Sequence, residues 1–522
     1  MKISNLVAAL FAIVAPLVAP EDLRYKNHQV VKFNVTSDEQ VATLKGANFD
    51  IWTHSGIHQG IIEARVPAGT NLDSLNIPYM ILIKDLQQIV DKERAQMEEN
   101  SIPLHQALLS GVAVDLSAST IFSDWQSYET LCAFIASLPG VTPYGSIGST
   151  YLGQDTLAYK FGSGPQSIVY HGGIHAREWI SPATVAYLTN EIVSNTTLTN
   201  AFTFYVLPVA NPDGYNYTRA ADGDRYQRKN MQPNPGSTCI GTDPNRNFNN
   251  HWSDPGASND VCADDYYGPA AFSTPEALNI ANFVQNLGNV ISYVDFHSYS
   301  ELFMFPNGYT CSGQVADYAT LEKGSQLAVD AIQAVNGEVF ANGPICTTIY
   351  QASGSSIDYT YNNLGVKYSY AIELRPNANA ASGDSGFNPD VSAIPLSGAE
   401  ITAGMNAVWG YIASLQNSGT ITTTKASTSA TKGTTTTTTT TTKGTTTITT
   451  TTKGTTTTTT TTKKTTTSVS CSHSECTSGV ALKTTCSACA KAVCANDSYC
   501  CLTAWDSQCV SEVDTYCTTV NC

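Results

Sequence analysis

The stretch that decides the fold is Ser167-Ile-Val-Tyr170 followed by His171-Gly-Gly-Ile-His175-Ala-Arg-Glu178. A short apolar run stops, two glycines follow, and polar side chains come directly after. His175 and Glu178 are three residues apart, so one helical turn points them the same way. An imidazole nitrogen and a carboxylate oxygen together suit Zn²⁺. A catalytic zinc takes a third protein ligand and keeps one position open. A second apolar run, Val290–His297, ends in Asp295-Phe-His-Ser-Tyr299 and offers His297. Spacing by itself leaves the matter open, because a packed histidine and a salt-bridged acid read the same way. Arg228, Asn245, Arg246 and Tyr350 also flank strand ends or loops, and each taken singly reads equally as a surface residue. Glu373 stands in the apolar run Tyr368-Ser-Tyr-Ala-Ile-Glu-Leu374. A carboxylate is costly to bury there unless it is paired or functional.

Further runs extend the pattern. Phe202–Pro208 reads as another strand, and Pro182–Val193 and Pro275–Leu287 read as helices. Ile401, Met405, Val408, Ile412 and Leu415 recur at helical spacing. Strands alternating with helices over residues 113–417 predict an α/β domain with a mixed, mostly parallel twisted sheet. Ligands of such sheets bind at the carboxyl ends of strands. Upstream, residues 20–112 read as a small α+β domain. Strands His28–Val35 and Ile61–Val66 flank a helix at Asp38–Gly46, and Ile81–Met97 begins as a strand and ends as a charged helix.

The chain has 522 residues, with 27 Lys plus Arg against 43 Asp plus Glu, a net charge of −16. That balance excludes a nucleic-acid binder, which needs clustered basic charge. No apolar run beyond the N-terminus is long enough to span a bilayer. Lys2, the apolar stretch Leu6–Val18 and the small residues Ala15 and Ala19 read as a secretory signal peptide over residues 1–19. Of 15 cysteines, ten fall between Cys471 and Cys522. Such density implies a disulfide scaffold made in an oxidising compartment. Sequons at Asn34, Asn195, Asn216 and Asn496 agree with export. Residues 418–469 are Thr-rich, punctuated by Lys425, Lys432, Lys443, Lys453, Lys463 and Lys464. With no apolar face to bury, they read as a spacer, glycosylated or bare. Residues 470–522 form a separate Cys-rich module, with Trp505-Asp506 as a candidate binding face for a wall, matrix or polysaccharide. Cys486-x-x-Cys489 is compatible with zinc, but the exported setting favours disulfides.

Six segments, in order, give the chain a resemblance to the secreted zinc metallocarboxypeptidases of the pancreatic carboxypeptidase A/B type. They are Gly173-Ile-His-Ala-Arg-Glu-Trp-Ile180, Asn211-Pro-Asp-Gly214, Asp243-Pro-Asn-Arg-Asn-Phe248, Phe296-His-Ser-Tyr-Ser300, Ile349-Tyr-Gln-Ala-Ser-Gly354 and Tyr370-Ala-Ile-Glu-Leu-Arg375. The resemblance spans Tyr25 to about Asn417. It implies a carboxypeptidase-like sheet with helices on both faces. One Zn²⁺ would be held by His175, Glu178 and His297, with Asp243 orienting the first histidine. It implies Glu373 as general base toward the attacking water and Arg228 as the support of the oxyanion. Asn245, Arg246 and Tyr350 would grip the free C-terminal carboxylate of a peptide or protein substrate, and Arg177 and Tyr299 would line the approach. Ile357 would floor the side-chain pocket and favour aromatic and aliphatic C-terminal residues. Ser355, Ala371 and Asp295 depart from the family pattern, and Asp295 is expected to alter the pocket wall.

The same resemblance pairs Cys239 with Cys262 and Cys311 with Cys346, leaving Cys132 as a buried thiol. It makes residues 20–112 a ferredoxin-like activation prosegment over the cleft, with Tyr79-Met-Ile-Leu-Ile-Lys-Asp-Leu-Gln-Gln88 as its nearest stretch. Release by an activating protease departs from the pancreatic pattern, because no Lys or Arg lies between Arg94 and Lys160. The tail resembles small Cys-rich units appended to secreted microbial hydrolases. Two other readings stay open on sequence alone: a catalytically silent extracellular adhesion or wall-binding protein on the same fold, and an enzyme acting on an amide other than a peptide.

Overall fold

A computed structural model of the chain describes residues 23–47, 49–53, 59–100, 116–377, 386–417, 436–442, 445–452, 455–461, 474–477, 479–480, 482, 486–496, 500, 504–505 and 507–517. The expected signal peptide and the processing region just after residue 100 lie outside the described residues. The chain divides into two units, Met1–Thr422 and Thr423–Cys522.

The first unit begins with four strands: β1 (Gln29–Val35), β2 (Asp50–Ile51), β3 (Gly60–Val66) and β4 (Tyr79–Ile83). They form an antiparallel sheet in the order β2-β3-β1-β4. Alternation sets its two faces. Val31, Phe33 and Val35 pack with Ile62, Ala64 and Leu44 of the helix Asp38–Ala47. Val30 faces the other way, toward Leu86 and Val90 of the helix Leu86–Asn100.

The larger sheet has eight strands: β5 (Thr142–Ser149), β6 (Asp155–Gly162), β7 (Gln166–His171), β8 (Phe202–Leu207), β9 (Val290–Ser298), β10 (Leu302–Phe305), β11 (Ala341–Pro344) and β12 (Tyr368–Leu374). Their order is β11-β10-β12-β9-β7-β8-β6-β5. The run β12-β9-β7-β8 is parallel, as is the β10–β11 pair, while β10–β12, β8–β6 and β6–β5 are antiparallel. The sheet is therefore mixed, with its parallel core where the apolar runs are longest. Such runs suit strands covered on both faces.

Both faces are covered. Ile168, Tyr170, Phe204, Val294 and Ile372 point to one side, where they meet the helices Ile180–Ile192, Tyr318–Asn336 and Ala393–Asn417. Ile401, Met405, Val408 and Ile412 are fully buried there, as the periodicity predicts. Val169, Tyr205, Leu207, Tyr293 and Ala371 point to the other side, against the helix Pro275–Leu287 and against Ile357. That helix begins at Thr274, whose side chain accepts a hydrogen bond from Ala277 N, and has Pro275 in its first turn. Both features favour a helix start at that point. Each fully buried aliphatic side chain contributes roughly 1.5–3 kcal/mol. Disulfides join Cys239 to Cys262 and Cys311 to Cys346, and Cys132 is a buried free thiol whose pKa is pushed up to about 12 by burial. Among the described residues no helix is long and apolar enough to cross a membrane.

In the second unit the Thr runs 436–442, 445–452 and 455–461 pair as three antiparallel strands, where the sequence predicts only a spacer. β-branched residues favour the extended backbone even without an apolar face. The Cys-rich module has helices Ala488–Asn496 and Ser507–Tyr516, with disulfides Cys489–Cys517 and Cys500–Cys509. Cys489 is thus a disulfide partner, not a zinc ligand. Trp505 corrects the sequence reading. Its ring is fully buried with Leu482, Ala490, Val493 and Val513, and its Nε1–H donates to Glu475 O at 2.7 Å. A small domain needs its largest apolar side chain inside, so Trp505 is core and not a binding face. Asp506 lies outside the described residues. Trp505→Ala is expected to cost the module about 3–5 kcal/mol, measured by denaturant unfolding of the full chain. Unchanged unfolding would contradict this placement.

Candidate active site

Three neighbouring strands deliver the polar residues. The register sets His171 opposite Asp295 and His297 opposite Glu373. Just past β7 the chain turns at Gly173, which has φ of +64°, a conformation glycine adopts without strain. The turn carries His175 and Glu178 back over the end of the sheet. His175 Nδ1 lies 2.9 Å from Glu178 Oε1, and His297 Nδ1 lies 3.2 Å from Glu178 Oε2 and 3.1 Å from His175 Nδ1. One ligand atom from each of the three lies within 4.8 Å of the others, and all three residues are buried. A tetrahedral zinc with ligands at about 2.0–2.2 Å would space them by about 3.3 Å. The donor set and its spacing fit one such ion.

The surroundings hold this cluster. Asp243 Oδ1 is 3.1 Å from His175 Nε2, while its Oδ2 accepts from Arg228 Nε and Nη2 at 3.1 and 3.0 Å. Burial alone would raise the Asp243 carboxyl, but Arg228 and His175 hold it well below the usual range. Burial likewise opposes ionisation of Glu178, and the two imidazoles hold it well below its ordinary value. Ser298 N donates to Glu178 Oε2 at 3.2 Å. Glu373 is different. Burial, together with the nearby Glu178 and Asp295 charges, pushes it up to about 8 against the opposing pull of His297 and Arg228. Two acids side by side are thus set apart in proton affinity by their surroundings.

Beside the cluster lies a partly open cavity. Met304, Ile345, Ile349, Ala352, Ile357 and Ala371 supply its apolar lining, and Arg228, Arg246, Tyr350 and Glu373 supply polar groups. Arg246 Nη2 donates to Tyr350 Oη at 2.9 Å, and Nη1 donates to Asn245 O at 2.9 Å. Arg246 lies in the short turn Pro244–Arg246, which Asp243 caps by accepting from Asn245 N at 2.8 Å. Gly354 passes directly over this turn, and a Cβ there would meet Arg246 O at 2.3 Å. Ser355 caps the helix Ser356–Asn362, placing Ile357 in the floor. Asp358 next to it accepts from Gly308 N and Tyr309 N at 2.9 Å, tying down the facing loop.

The structure brings together nearly every residue singled out in the sequence. His175, Glu178, His297, Asp243, Arg228, Asn245, Arg246, Tyr350, Ile357 and Glu373 share one site. Asn245 uses its side chain within the frame, accepting from Ser356 N at 2.8 Å and lying 3.1 Å from His297 Nε2. Arg177 and Tyr299 sit at the approach, where the N-terminal sheet engages both. Tyr299 Oη donates to Glu63 Oε2 at 2.6 Å, and Arg177 Nη1 lies 2.9 Å from Asp264 and 3.7 Å from Asp50. Asp295 is not in the pocket wall, as its place in the sequence suggests. Its side chain sits behind His297, away from the cavity. The apolar liners Met304, Ile345 and Ile349 carry no signal in the sequence beyond ordinary hydrophobicity.

A family model, zinc carboxypeptidase (peptidase M14), matches residues 128–404. A second, a domain of unknown function (DUF8252), matches residues 469–522. The chain is 34% identical to carboxypeptidase A2 of Mus musculus, over 72% of this chain and 91% of that protein. It is 31% identical to metallocarboxypeptidase A of Trichophyton tonsurans, over 78% and 97%. Among solved structures, thrombin activatable fibrinolysis inhibitor aligns with a TM-score of 0.65 at 26% identity, covering 75% of this chain and all of that one. Carboxypeptidase A from Helicoverpa armigera aligns with a TM-score of 0.63 at 25% identity, covering 75% and 99%. The mixed sheet, the His–Glu–His cluster and these likenesses agree: the chain belongs to the zinc carboxypeptidase family and is a hydrolase of the metallocarboxypeptidase type.

Proposed function

We propose that the chain is the exported precursor of an exopeptidase that removes aromatic and aliphatic residues from peptide C-termini. The observation that carries this reading is the buried Arg246, hydrogen-bonded to the half-buried Tyr350, at a largely apolar cavity beside His175, Glu178 and His297. A planar guanidinium matches a carboxylate in bidentate fashion. A chain terminus satisfies it, and an internal peptide bond leaves it unpaired in a dry site at a cost of a few kcal/mol. Substrate choice therefore begins with the terminal charge.

His175, Glu178 and His297 would hold the zinc, which when bound would supply Lewis-acid chemistry toward water and the scissile carbonyl. The remaining tasks belong to the chain. Arg246 and Tyr350 fix the substrate carboxylate, with Asn245 beside them. The apolar cavity over Ile357 takes the terminal side chain. Glu373 accepts a proton from the attacking water and returns it to the leaving amine. Arg228 donates to the oxygen on which negative charge develops. Asp243 keeps His175 oriented.

The N-terminal sheet acts as an activation segment. Glu63 and Asp50 occupy Tyr299 and Arg177, where upstream substrate residues would pass. The buried Glu93–Arg225 pair, at 2.8 Å, fastens the helix Leu86–Asn100 to the enzyme. Arg94 lies inside that helix, and its guanidinium reaches Ala220 O and Gly223 O at 3.4 and 3.5 Å. A protease therefore acts beyond it, after residue 100. Export rests on the N-terminal apolar stretch and the disulfides. Attachment of the Cys-rich module to a wall or matrix is a further reading that its small buried core neither needs nor opposes.

Purified, processed protein is expected to carry one zinc per chain by elemental analysis. Glu373→Gln should keep the metal yet lose about 10²–10⁴-fold in kcat, and a variant with near-parental turnover would refute the base assignment. Peptides ending in Phe or Leu should be cut on the order of 10²-fold better in kcat/KM than the same peptide ending in Lys, because the floor at Ile357 places no acidic group to meet an ammonium. A Lys preference would overturn the pocket reading. In the uncut chain, the double change Asp50→Ala, Glu63→Ala should raise hydrolysis of a small chromogenic substrate. An unchanged rate would show that these contacts do not restrain it.

A further inference from the structure

Two residues of the quoted motifs have no part in the chemistry above: His171 and Asp295. Both are fully buried at the ends of adjacent parallel strands, in register with each other. Asp295 Oδ2 lies 3.1 Å from His297 Nε2, accepts from Ser356 Oγ at 2.6 Å and accepts from Asn245 Nδ2 at 3.3 Å. Its Oδ1 lies 3.4 Å from His171 Nδ1. On its far side, His171 Nε2 is 2.5 Å from Tyr293 Oη. A line of buried groups thus runs from Tyr293 through His171 and Asp295 to His297.

The geometry points to Asp295 as a second positioning carboxylate of the metal site. It pairs with the outer nitrogen of His297 as Asp243 pairs with the outer nitrogen of His175. With the Nε2 proton directed at Asp295, His297 presents Nδ1 to the cluster, where Nδ1 faces Glu178 and His175. A carboxylate on the outer nitrogen fixes the tautomer and the ring plane and makes the ligand more basic. Ser356 and Asn245 in turn donate to Asp295, so both imidazoles are braced through buried anions. Asp295 is out of the cavity, so it does not sort substrates, and a fully buried carboxylate is costly without such partners. This inference rests on the proposed use of His175, Glu178 and His297 as metal ligands.

The test is zinc affinity of the full chain, measured by competition with a chromophoric chelator, together with the visible spectrum of the cobalt-substituted protein. Asp295→Asn and Asp295→Ala are expected to weaken zinc by about 10- to 100-fold, Ala more than Asn, since the amide oxygen still accepts a hydrogen bond. Both should move the cobalt bands, which a purely structural role would leave in place. Should Asp295→Ala fail to fold, the Asn variant carries the test. Parental zinc affinity and an unshifted cobalt spectrum in the folded variant would overturn the proposal. His297→Ala separates the two readings. If it leaves zinc binding intact, the ligand assignment itself fails. If it abolishes binding while Asp295→Asn does not weaken it, only the role of Asp295 fails.

Discussion

The architecture depends on one constraint: several buried charged and polar groups must share the end of a single sheet. His171, Asp295, His297 and Glu373 are all buried, and they sit on three consecutive parallel strands whose register puts them side by side. Each would be costly alone. Glu178 lies against both His297 and Arg228, Arg228 pairs with Asp243, and Asp295 lies against His297. The helices on either face exclude water from the strands and leave only the carboxyl ends for polar contacts. The site is therefore the place where the sheet's packing and its charge are both resolved.

The same packing explains the division of labour between two acids near one ion site. Glu178 is flanked by two imidazoles that hold its pKa low, whereas at Glu373 burial and the Glu178 and Asp295 charges outweigh the pull of His297 and Arg228. The pocket beside them is set by Ile357 and its neighbours, and Asp358 holds the loop that closes it. Position along one short helix thus decides both the floor and the wall.

Much of this was legible in the chain itself. Short apolar runs ending in polar clusters located β7, β9 and β12, because a strand covered on both faces leaves little else to read. The helix at Pro275–Leu287 was visible to the residue, since Thr274 and Pro275 mark its start and Gly288, with φ of +66°, its end. The ligand roles were legible only through several motifs taken together, since spacing cannot tell a packed histidine from a bound one. Two things were hidden. Asp295 reads as a pocket residue from its place two before His297, but strand alternation cannot say which ring atom a carboxylate meets. Trp505 looks like a binding surface beside paired cysteines, yet a domain this small has to bury it. The liners Met304, Ile345 and Ile349 come from three separate segments, and only tertiary packing brings them together.

The seating of Glu63 against Tyr299 has a kinetic consequence. While the N-terminal sheet and the enzyme are one molecule, their encounter is intramolecular and does not depend on concentration. The proposed cut between them would leave these contacts in place but make rebinding depend on dilution. On the proposed role of the N-terminal sheet, liberation of the cleft would be governed by how fast the severed segment departs and how sparse it becomes, so a confined space would hold the enzyme quiet longer than an open one.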